Sequence, residues 1–99
     1  MFGRKDSMQK TKTHRGLALI KFKDNYGVSC RLQKSSLATD HAVWFGVDDP
    51  EPKISIPGCG WVPYPIPEEV SIRTRMHLTQ KQVKKLIPIL QKFCKTGEL

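Results

Sequence analysis

Ninety-nine residues, with 38% apolar and 26% charged side chains, set the scale of one globular domain with a single modest core. No apolar run approaches the roughly 18 residues of a membrane-spanning helix. The first residues also lack the apolar stretch and small-residue cleavage site of a secretory leader, so cytoplasm is the expected compartment. A formal charge of +8 favours anionic partners, while three cysteines without close spacing argue against a disulfide scaffold.

The charge is unevenly spread. Residues 40–69 hold six carboxylates against Lys53 alone, a local net of −5 that leaves +13 for the rest of the chain. A basic body with an acidic insert would steer a polyanion to one side.

Residues 1–15 carry five basic side chains against Asp6, with no apolar periodicity. They predict a flexible basic arm preceding a single α+β domain over residues 16–99. Residues 17–23 alternate as a strand, with Ala18, Ile20 and Phe22 on one side and Leu17, Leu19, Lys21 and Lys23 on the other. Asp24-Asn25-Tyr26-Gly27 supplies turn chemistry. Residues 28–34 return with Val28, Cys30 and Leu32 opposed to Ser29, Arg31 and Gln33, which predicts a hairpin with one apolar face. Residues 42–47 give a third strand, with Val43, Phe45 and Val47 against Ala42, Trp44 and Gly46.

Six of the seven prolines then fall within residues 48–67, which excludes a long helix or central strand. The segment predicts a loop with a short edge strand at 53–56. Trp61 and Tyr64 are too apolar for a solvated linker and mark a protein-contact patch or a loop anchor. Residues 70–78 predict another strand, with Ile72, Thr74, Met76 and Leu78 opposed to Arg73, Arg75 and His77. Thr79 with Gln82 forms a capping box for a helix whose Val83, Leu86, Ile87, Leu90, Phe93 and Cys94 make an apolar stripe. Gly97 stops it, and Pro88 predicts a kink within it. The expected architecture is an antiparallel sheet of four to five strands with this C-terminal helix packed on one face.

Sites of chemistry are sparse. The three cysteines and three histidines do not form the closely spaced ligand pairs of structural zinc, and neither a nucleophile motif nor a phosphate-cradling glycine loop occurs. No metal, no cofactor and no enzymatic activity are expected. What remains is the sheet face away from the helix, carrying Lys21, Lys23, Arg31, Gln33, Trp44, Arg73, Arg75 and His77. Guanidinium groups suit phosphate oxygens and an indole suits a base, so these are the candidate ligand-binding residues. An ordinary solvated face accounts for the same pattern.

The segment Phe22-Lys23-Asp24-Asn25-Tyr26-Gly27-Val28-Ser29-Cys30-Arg31-Leu32-Gln33-Lys34-Ser35-Ser36-Leu37-Ala38, followed by Trp44-Phe45-Gly46, resembles a family of small phage and prophage proteins. Arg75-Met76-His77-Leu78-Thr79, then Gln82, Leu86, Pro88, Leu90, Phe93 and Thr96-Gly97-Glu98-Leu99, is similar to the ending of the same family. Together these stretches cover about half the chain, and the proline-rich insert is longer than the family pattern. The resemblance implies a phage context, with the host cytoplasm as the compartment, more than an activity. Within that context the leading expectation is a non-enzymatic inhibitor of a host defence system. It would bind a protein complex or sequester an anionic nucleotide signal through its basic sheet face. The alternatives are a nucleic-acid-binding accessory protein of phage replication or transcription, and a small assembly protein. Self-association is open; a membrane partner is not expected.

Overall fold

The computed structural model describes residues 7–99. The element order is β1 (Gln9–Lys12), β2 (Ala18–Lys23), β3 (Ser29–Lys34), β4 (Ala42–Val47), β5 (Lys53–Ile56), β6 (Gly60–Pro63), β7 (Arg75–Thr79) and α1 (Gln80–Thr96). An antiparallel sheet in the order β1-β2-β3-β4-β7 forms the body, and β5 pairs with β6 as a separate hairpin. The α+β class expected from the pattern is the one observed.

Local chemistry explains the β2–β3 reversal. The Asp24 carboxylate accepts from the backbone N–H groups of Tyr26 at 2.8 Å and Val28 at 3.0 Å, and Gly27 takes a φ of 80° that a side chain would resist. The register that follows pairs Lys21 with Arg31 and Phe22 with Cys30. The next ladders pair Gln33 with Trp44 and Leu32 with Phe45, then Trp44 with His77 and Phe45 with Met76. Cross-strand partners share a face, so the period-2 pattern sorts the sheet into a polar face and an apolar face.

The apolar face holds Ile20, Phe22, Cys30, Leu32, Val43, Phe45, Met76 and Leu78. Phe22 and Phe45 pack over β3 with ring centroids 6.1 Å apart, and Cys30 beneath them is buried. Burial and the nearby Asp24 and Asp48 carboxylates push the Cys30 thiol above its ordinary value.

Several expectations change. The helix does not cover a sheet face: its main contact is with β7, and none of its residues is buried. The reason is covalent. Thr79 is both the last residue of β7 and the helix N-cap, so no linker exists to fold the helix back. Pro88 lies inside the helix, which runs unbroken over Gln80–Thr96. Of the expected basic arm, residues 1–6 lie outside the described residues, whereas Gln9–Lys12 form an edge strand on β2. The short strand expected at 53–56 is present as β5, but it pairs with β6 in a hairpin within the proline-rich segment, and Trp61 is 72% exposed there. Finally, the last sheet strand begins at Arg75 rather than at residue 70.

Candidate functional site

The polar face presents Lys21 and Lys23 from β2, Arg31 and Gln33 from β3, Trp44 from β4, and Arg75 and His77 from β7. All are candidates from the sequence, and the ladder brings them to one side. Arg73 is the exception. It precedes β7, yet with Arg75, Gln33, Trp44 and Ser71 it lines an open cleft of about 470 Å³. Thr74 holds this approach in place, its hydroxyl donating to the Val47 carbonyl at 2.9 Å where a regular ladder bond would otherwise run.

Gly46 makes the cleft's geometry possible. It pairs with Arg75 and has a φ of 153°. A Cβ here would lie 2.8 Å from the Arg75 Cα and would press on the Thr74 carbonyl. The chain before β7 therefore crosses β4 at a closeness that only glycine allows.

Three details modify the expected binding surface. The guanidinium of Arg31 is engaged: its Nε donates to the Asp48 carboxylate in an ion pair, and its Nη1 donates to Gln33 Oε1 at 2.8 Å. Asp48 from the acidic insert thus stands on the basic face, where it lines both the Arg73/Arg75 cleft and the concavity beside Lys21 and Lys23. One side of the Trp44 indole is also occupied, because His77 stacks on it at 3.9 Å and 7°. The imidazole is itself fixed by Ser35, whose buried hydroxyl lies 2.9 Å from His77 Nε2. By contrast, the side chains of Lys21, Lys23, Arg73 and Arg75 have no hydrogen-bond or ion-pair partner among the described residues.

Arginines free to rotate into a cleft beside a held aromatic pair can grip phosphate oxygens while a base lies against the rings. Asp48 and Ser35 were the residues that sequence reasoning missed as parts of this face. Asp48 follows Val47, whose partner Cys30 is the residue before Arg31, so the strand register carried a signal for the pair. Ser35, just past the end of β3, carried no such signal. Trp61 and Tyr64 lie outside this face, on β6 and just after it. Among the described residues no three His, Cys, Asp or Glu side chains cluster as metal ligands, and no helix is long and apolar enough to cross a membrane. Searches against family models, curated proteins and solved structures find no match for this chain.

Proposed function

We propose that the protein is a binding module that captures a short phosphate-bearing nucleotide ligand on its polar sheet face. The observation that carries this reading is the pair of unengaged guanidinium groups, Arg73 and Arg75, in a cleft shared with Trp44. Its volume falls within the usual range for small-ligand sites.

The position of Asp48 favours a short ligand over a long strand. A polynucleotide running across the sheet from Arg73 and Arg75 to Lys21 and Lys23 would pass this carboxylate and meet like-charge repulsion. A nucleotide or short oligonucleotide held by the two arginines meets this carboxylate only at the edge of the cleft it lines, and would gain nothing by extending past it. In the phage setting implied by the resemblance, such capture suits sequestration of a nucleotide signal used in host defence. The nucleic-acid accessory reading draws support from another feature: α1 carries Lys81, Lys84, Lys85, Lys92 and Lys95 and no acidic residue.

Oligothymidylates from the dinucleotide to the dodecamer separate the two readings when titrated in about 50 mM salt. Capture of a short ligand predicts that affinity levels off by about the trinucleotide, with a shallow salt slope from two or so phosphate contacts. Affinity that climbs steadily with length would replace this reading with the accessory one, and binding by no member of the series would refute both.

A further inference from the structure

We infer that the protein is a homodimer in which each copy's helix seats its apolar stripe on the apolar sheet face of the other. This inference stands apart from the ligand face and does not depend on it.

Exposed surface is the first argument. The chain exposes 8679 Å², where an 11.3 kDa monomer is expected to expose about 5,700 Å². Its radius of gyration is 16.7 Å, against about 13 Å for a compact chain of this length. A surplus of roughly 3,000 Å² per chain exceeds the roughly 1,000–2,500 Å² that each member of an obligate homodimer gives up. Among the described residues only Leu19, Cys30 and Ala42 are buried apolar side chains, and no large side chain is fully buried. That is too little core for a chain of this size to stand alone.

The uncovered surfaces show what the missing partner is. On the helix, Leu86, Ile87, Leu90 and Phe93 are 38–50% exposed. On the sheet, Met76 is 55% exposed and Ile20, Phe22, Leu32 and Phe45 are only half-buried. Each surface needs what the other offers, but within one chain they meet only at the helix root, where Val83 reaches Val43 and Leu78; β7 passes directly into α1 at Thr79 and the rest of the stripe stays uncovered. A two-fold pair satisfies both surfaces at once, in equal number. Contact between stripe and face also buries no charge. The helix lysines fall off the stripe by its 3.6-residue period, and the apolar face carries lysines only at its margin, at Lys10, Lys12 and Lys34. A groove lined by Ala42, Val43, Leu78 and Val83, with Lys34, His41 and Gln80 beside them, continues this face to the root of the helix.

Sedimentation equilibrium of the full chain tests the inference, with ionic strength as a second axis. The expected result is twice the 11.3 kDa chain mass at micromolar concentration, with dimerisation strengthened by salt because two +8 chains repel one another. Anion binding would respond to salt in the opposite direction, so the two ideas fail separately. Leu90→Glu and Met76→Glu alter exposed positions that a monomer tolerates, and each should weaken the dimer by at least about thirtyfold. Without any substitution, the Cys94 thiol, exposed in the single chain and on the stripe, should become protected from thiol reagents as concentration rises. A monomer at every concentration and salt would overturn the inference. So would a dimer weakened by Leu90→Glu and indifferent to Met76→Glu, which would mean that helices pair with helices.

Discussion

Replacing Gly46 with alanine tests the geometry on which the cleft depends. The added Cβ would sit 2.8 Å from the Arg75 Cα and 3.1 Å from the Thr74 carbonyl carbon, both backbone atoms that no side-chain rotation can move. Ordinary carbon contacts begin near 3.5 Å, so the strands must separate by roughly half an ångström or more. Forced overpacking of this kind costs about 1–3 kcal/mol, and the φ of 153° at Gly46 adds to it. For a domain of this size about 2 kcal/mol lowers the melting temperature by roughly 8–16 °C. The strain falls at the β4–β7 pairing, and Arg75 is the residue displaced, so ligand affinity should drop together with stability. Calorimetry at one fixed protein concentration reads the first effect, and titration well below the melting temperature reads the second. A variant that melts within about 2 °C of the parent and binds equally well would show that β7 does not approach β4 as closely as described.

Other perturbations separate the parts. Asp48→Asn removes the carboxylate that Arg31 engages and should raise affinity for a nucleotide several-fold, about 1 kcal/mol of relieved repulsion; weaker binding by isothermal titration would mean that Arg31 must be held to act. Thr79→Ala deletes the capping box and should cost about 1 kcal/mol, appearing as lost helical circular dichroism with the β2–β3 amides still protected from exchange; full retention of helix would contradict it. Cys30 has a raised thiol value in the folded chain, so its contribution to stability is complete below the ordinary thiol value of about 8.5 and fades as pH rises through and beyond it. Denaturation midpoints of the parent should therefore fall in alkaline buffer more steeply than those of Cys30→Ala. Parallel decline would remove Cys30 from the account.

Period-2 alternation made the polar face legible before any coordinates. A one-residue slip in β2, β3, β4 or β7 would have exchanged the faces, and none occurred for Lys21, Arg31, Trp44 or His77. The helix was equally legible, because Thr79, Gln82 and Gly97 are local signals that act within one turn. Long-range outcomes were not. The stripe on α1 says that the helix needs an apolar neighbour and is silent on which one, so packing on its own sheet was the simplest expectation. The strand β1, Gln-Lys-Thr-Lys, has no apolar alternation to announce it and exists through backbone pairing with β2. Arg73 fits the alternation of its neighbours but precedes the strand, because the close crossing at Gly46 ends the ladder there. The engagement of Arg31 by Asp48 across 17 residues and of Trp44 by His77 depends on strands meeting, which composition alone does not specify.

The central claim is that Arg73 and Arg75 hold an anionic ligand. Exchanging both for alanine and titrating with a trinucleotide at low salt tests it most directly. The account predicts a loss of affinity of at least about thirtyfold, since each charge-assisted contact is worth about 1.5–3 kcal/mol, with melting temperature unchanged because neither side chain has a partner among the described residues. Undiminished binding by the doubly substituted protein, still folded, would contradict it.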